Sequence, residues 1–134
     1  MASPDDWLYE YSIVRYVPKS ERGEFLNIGL VMMNKRKKWL KGEIALDRDR
    51  ILFFNPRVDF ECLENQAKLF EQRDVPSPHL PVEEKYRWLT AMKSACLQVS
   101  PSHPGIIPPY QRDKEDATEI LDAEFYRLFK ELVL

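Results

Sequence analysis

Arg15, Arg22, Glu24, Asn27 and Gly29 crowd into one short stretch, and their types suit either of two jobs. Two guanidiniums, a carboxylate and a carboxamide can grip an anionic ligand. The same groups can also lock a turn, since Arg–carboxylate pairs and turn-capping Asn do so routinely. A second group is the run Lys35, Arg36, Lys37 and Lys38, followed by Trp39 and Lys41. Cations beside an indole can hold phosphates and stack a base. At an exposed hairpin tip, however, the same lysines simply discourage edge-to-edge strand pairing. Asp47 and Asp49 offer two carboxylates to a divalent cation, although aspartate is also ordinary at strand-end turns. His79 and His103 each lie in a proline-rich loop and read as solvated side chains. Cys62 and Cys96 fall in stretches of helical pattern with no C-x-x-C, so they read as buried free thiols, with one disulfide as the alternative.

Most signatures of chemistry are missing. Glycine occurs only 4 times, and neither G-x-x-x-x-G-K-[ST] nor G-x-G-x-x-G is present. G-x-S-x-G is absent as well. The expectation is a chain with no assigned catalytic residue, no cofactor and no metal.

The elements that must position these residues follow from periodicity. Residues 7–17 are aromatic and β-branched and predict a strand. Residues 25–33 alternate, with Leu26, Ile28, Leu30 and Met32 on one face and Phe25, Asn27, Gly29, Val31 and Met33 on the other. The polar turn 18–23 joins them into an antiparallel hairpin. If Val17 faces Phe25, Arg15 faces Asn27 and Ile13 faces Gly29. A third strand over 39–47 places Leu40, Ile44 and Leu46 together, with 34–38 as the connecting turn.

Beyond Asn55-Pro56 the period becomes helical. Phe60, Leu63, Ala67 and Phe70 form one stripe, with Pro56 suited to the first turn. Tyr86, Leu89, Met92, Cys96 and Val99 form a second over 82–99. Ala117, Leu121, Phe125, Leu128 and Leu132 form a third over 114–133, with Asp113 as its N-cap. Seven of the ten prolines sit in 75–81 and 101–109, which makes both stretches loops; Ile106-Ile107 suits a short edge strand. The prediction is an α+β fold in which an antiparallel meander of three or four strands has one face covered by about three helices.

A chain of 134 residues has room for one domain. Residues 1–6 read as a flexible tail, 7–54 as mainly β and 56–134 as mainly α. Hydrophobic residues make up 44% and charged residues 31%, the mix of a globular protein. A net charge of -2 and a pI near 5.8 argue against non-specific nucleic-acid binding as the main purpose. The start lacks the basic and apolar regions of a signal peptide, and the apolar run 26–33 is far short of the about 20 residues that span a bilayer. A cytoplasmic protein is expected.

The stretch Tyr11-Ser-Ile-Val-Arg-Tyr-Val-Pro18, followed by Arg22-Gly-Glu-Phe-Leu-Asn-Ile-Gly29, resembles the bacterial family called domain of unknown function 3037. Arg-Tyr-x-Pro, Arg-Gly-Glu and Asn-x-Gly appear in order, and the likeness continues more loosely to Val133. The resemblance carries no agreed activity and no catalytic residues. It does imply a context, because similar genes often neighbour one for a HipA-like kinase. The leading expectation is therefore a non-enzymatic accessory protein that works through a protein partner such as that kinase. The alternative is a nucleic-acid or phosphate-ligand binder using Lys35–Lys38, Trp39 and the Arg15/Arg22 end of the hairpin. An enzyme of unrecognised type stands third.

Overall fold

Alternating apolar residues build the sheet early in the chain. The computed structural model describes residues 4–18, 22–71, 77–91, 96–112 and 116–134. Strands β1 (Leu8–Tyr16), β2 (Leu26–Asn34) and β3 (Trp39–Ile44) form the antiparallel meander in chain order. Two short strands, β4 (Leu97–Val99) and β5 (His103–Ile106), then return to the other side of β1. β5 pairs with Leu8–Tyr11 and β4 with Val14–Tyr16, both antiparallel, which completes a five-stranded sheet. The helices are α1 (Arg48–Phe54), α2 (Phe60–Ala67), α3 (Val82–Ala91) and α4 (Ala117–Leu132). The fold is α+β.

Helices cover both faces of this sheet, where one covered face was expected. On one side Trp7, Tyr9, Ile13, Leu30, Met32 and Trp39 pack with Leu121, Phe125, Leu128 and Phe129 of α4. On the other, Val14, Tyr16, Ile28, Val31, Met33 and Leu40 pack with Ile51 of α1, Leu63 of α2, and Tyr86 and Leu89 of α3. The reason lies in β2, whose odd and even residues are apolar alike. Leu30, Val31 and Met32 are all fully buried. Such a run suits a strand sandwiched between two layers.

A β-bulge changes the expected register. Arg15 does face Asn27, but Val14 faces Gly29 and Ile13 faces Leu30, so Ile28 is the extra residue. Pairing ends at Tyr16–Leu26, and Val17 donates instead to the Cys96 carbonyl at 2.7 Å. Ile28 consequently packs with Val31 and Met33, on the face opposite Leu30 and Met32.

Several element boundaries also differ. Residues 48–54 are helix rather than the tail of a β region, and Asp47 caps them by accepting from the Arg50 N–H at 3.2 Å. The next helix begins at Phe60 with Asp59 as its cap, not at Pro56. The helix expected over 82–99 ends at Ala91, and β4 takes its last residues. Cys96 therefore precedes a strand, while Cys62 lies in α2 but is exposed; neither forms a disulfide. Asp116 caps α4, and the expected cap Asp113 lies outside the described residues, as does Met92. Residues 4–7 form a 3-10 turn instead of a tail, held where the Asn34 amide donates to the Asp6 carbonyl at 3.0 Å.

The two sheet edges differ. At β3, Gly42 lets the backbone of the 3-10 turn Lys68–Glu71 approach closely; a Cβ there would collide with the Phe70 carbonyl. At β5, no further strand pairs among the described residues.

Candidate functional site

The five hairpin residues separate into three places. Arg15 and Asn27 form a cross-strand pair on the α4 face. There the Asn27 Nδ2 donates to the Leu132 carbonyl at 3.1 Å, satisfying one of the last carbonyls of α4. Arg50 does the same for the Val133 carbonyl at 2.5 Å. The Arg15 guanidinium lies over the Phe25 ring at 4.2 Å, a cation–π contact. Arg15 Nε and Asn27 Oδ1 are buried with no hydrogen-bond partner among the described residues. Gly29 belongs to the opposite face, where an added Cβ would strike Ile44 and come within 2.8 Å of the Glu43 carbonyl. Close packing explains this glycine.

Arg22 and Glu24 sit at the tip of the hairpin. Nε and Nη2 of Arg22 both donate to Oε1 of Glu24, at 3.0 and 2.9 Å, and both side chains are exposed. They line a cavity of about 540 Å3, together with Pro18, Phe54, Asn55, Pro56 and Arg57. The end of α1 supplies its far wall. Asn55 donates to the Tyr16 hydroxyl at 2.7 Å and accepts from the Arg57 N–H at 3.2 Å, while Phe54 sets its edge against Tyr16 at 6.1 Å. Phe54, Asn55 and Arg57 escaped the sequence reading because Asn55-Pro56 looked only like a helix start. An Asn two residues ahead of an Arg is the signal of an Asx turn that presents a cation.

Two residues of the basic turn are engaged. Arg36 approaches Asp6 at 3.7 Å, and the Lys37 ammonium lies 4.7 Å from the centre of the Trp7 ring. Lys41 pairs with Asp122 at 3.6 Å and sits over Tyr126. Lys35 and Lys38 point outward as exposed side chains. Trp39 corrects the stacking expectation: it is 7% exposed, packs on Phe125 and donates to Asp122. A base has no free indole face to stack on.

Two polar networks went unread in the sequence. The Tyr86 hydroxyl bonds Ser12 at 2.9 Å and Ser102 at 2.8 Å, and Ser102 donates to Glu10 at 3.2 Å. On the other face the Tyr9 hydroxyl donates to buried Glu124 at 2.7 Å, and Arg127 pairs with the same carboxylate. Burial pushes both phenols up, and for Tyr9 the Glu124 hydrogen bond adds to the shift. Both networks tie a helix to the sheet.

His103 stacks on Tyr11 with ring centres 5.3 Å apart, while His79 is exposed ahead of α3. With Asp47 committed to its cap, no group of three or more His, Cys, Asp or Glu among the described residues could hold a metal ion. No helix among the described residues is long and apolar enough to cross a membrane.

A shallow depression of about 510 Å3 lies beside β1, β2 and β5. Leu8, Met33, Lys35, Arg36 and Pro104 help to line it. Leu8 and Ile106 face each other across β1 and β5 beside it, 46% and 44% exposed.

No curated protein and no solved structure matches the chain. A family model does: the one described as Protein of unknown function (DUF3037) matches residues 11–133, from the middle of β1 to the end of α4. That match takes in the hairpin from Tyr11 onward, the lining of the cavity at the hairpin tip and both helical layers, and the chain belongs to this family.

Proposed function

We propose that this protein is a non-enzymatic accessory protein that works in the cytoplasm through a protein partner, a HipA-like kinase being the partner to test. The observation that carries the reading is the open β5 edge with its exposed apolar pair. A single exposed leucine is ordinary, but Leu8 and Ile106 are cross-strand neighbours at an edge that no strand pairs among the described residues. Strand addition uses such an edge: main-chain bonds supply affinity and side-chain pockets supply selection.

The ladder geometry defines what would fit. The Ile107 N–H donates inward to the Trp7 carbonyl, so by alternation the N–H and carbonyl of Ile106 point outward. Pro104, at the other outward position, costs the edge one donor. An extended partner segment would pair there, set an apolar side chain on Leu8 and Ile106, and offer an acid to Lys35.

The test co-expresses the full chain with the HipA-like kinase and follows the pair by gel filtration and titration calorimetry. The expected result is a joint peak that Ile106→Lys weakens by at least about tenfold without lowering the melting temperature. Absence of a complex with the kinase overturns the partner. A complex indifferent to Ile106→Lys overturns the edge.

A further inference from the structure

We propose that the cavity between the hairpin tip and the end of α1 is a binding site for a small phosphorylated molecule with an aromatic or apolar body. This goes beyond the partner surface, which lies at the β5 edge. Three features of the cavity converge.

The first is charge. Arg22 directs Nε and Nη2 at one oxygen of Glu24, which leaves Nη1 free to donate. The Arg57 guanidinium has no ion pair among the described residues. Two guanidiniums against one carboxylate leave a positive excess, and a planar fork matches phosphate geometry. A dianionic phosphate answers two such forks better than a carboxylate does.

The second is rigidity. Asn55 is fastened to the sheet through Tyr16 and holds the Arg57 backbone through its own Oδ1. Its N–H donates to the Ile51 carbonyl at 2.8 Å, which closes α1. The wall that presents Arg57 is thus built before any ligand arrives, which lowers the ordering cost of binding.

The third is the apolar part. Phe54, Pro18 and Pro56 share the lining with the charged groups, and about 540 Å3 falls within the range of small-molecule sites. Inorganic phosphate alone would leave these surfaces wet. A phosphomonoester carrying a ring covers them.

Titration calorimetry of the full chain with adenosine monophosphate as the probe tests this, with adenosine and inorganic phosphate as the two halves. The expected result is that the intact probe binds at least about tenfold more tightly than either half. Arg57→Ala should then weaken it by about tenfold or more with an unchanged melting temperature, and Arg57→Lys should recover part of the loss. A Lys35→Ala/Lys38→Ala variant should bind as the parent does. No binding of the probe at about 1 mM overturns the proposal, as does adenosine binding as tightly as its monophosphate. Binding that survives Arg57→Ala, or that depends on the lysine pair instead, overturns the location.

Discussion

Asn27 ties the hairpin to the last turn of α4 with a single amide, and that makes its removal informative. Asn27→Ala strips a hydrogen bond from the Leu132 carbonyl, and should cost about 1–2 kcal/mol. For a domain of this size the midpoint would fall by roughly 3–8 °C. Arg15→Ala should cost less. It loses the cation–π contact with Phe25, but it also removes an Nε that is buried without a partner. Thermal melts of both variants check the order. An unchanged midpoint in Asn27→Ala would mean that the amide is held for a ligand rather than for α4. The facing of Arg15 and Asn27 was legible because an arginine opposite an apolar Leu26 would have been uncomfortable. The bulge at Ile28 was not legible: alternation in β2 is apolar in both phases, so neither phase signals where it slips.

At the scale of elements, the misread segments share a cause. Residues 96–99 satisfy two periods at once, since Cys96 and Val99 extend the α3 stripe while Leu97 and Val99 alternate as a strand. A window that short cannot separate period 3.6 from period 2, and the open edge of β1 decided the outcome. α1 is only 7 residues long, with Ile51 its one buried side chain, so it carries almost no stripe. The long α4, by contrast, was readable because 16 residues repeat one face. The turn from Lys35 to Lys38 was readable as a turn but not as a site, because its neighbours are distant in sequence. With Arg36 near Asp6, Lys37 on Trp7 and Trp39 in the core, the turn lacks a stacking platform. The expected outcome is no measurable RNA or DNA binding near physiological salt by filter binding or anisotropy. Any complex at low salt should weaken steeply as salt rises, and should vanish when Lys35, Arg36, Lys37 and Lys38 are all changed to Ser. A micromolar complex that persists at physiological salt would restore the nucleic-acid reading.

For the whole molecule, the sheet is the common floor of two helical layers, and one buried tyrosine fastens each. Tyr9 joins β1 to α4 through Glu124, and Tyr86 joins α3 to β1 through Ser12. Both phenols are raised above their ordinary value of about 10, chiefly by burial. A raised phenol binds its proton more tightly in the folded state than in the unfolded chain. Its contribution is therefore complete below about pH 10 and is lost as pH climbs through the folded value. Above pH 10 the unfolded chain releases protons that the native state still holds, so unfolding is drawn forward. The melting temperature should be level in this respect from pH 8 to about 9.5 and should then fall. Tyr86→Phe should lower stability at neutral pH, because the buried Ser12 hydroxyl loses its partner, by about 1–3 kcal/mol. The same variant should flatten part of the alkaline decline, since phenylalanine has no proton to lose. Tyr9→Phe should flatten it further by freeing the α4 layer from the same dependence, while leaving Glu124 its pair with Arg127. Melts of the parent and both variants between pH 8 and about 11 read this directly. An alkaline slope identical in all three would mean that the layers come apart before either phenol ionises.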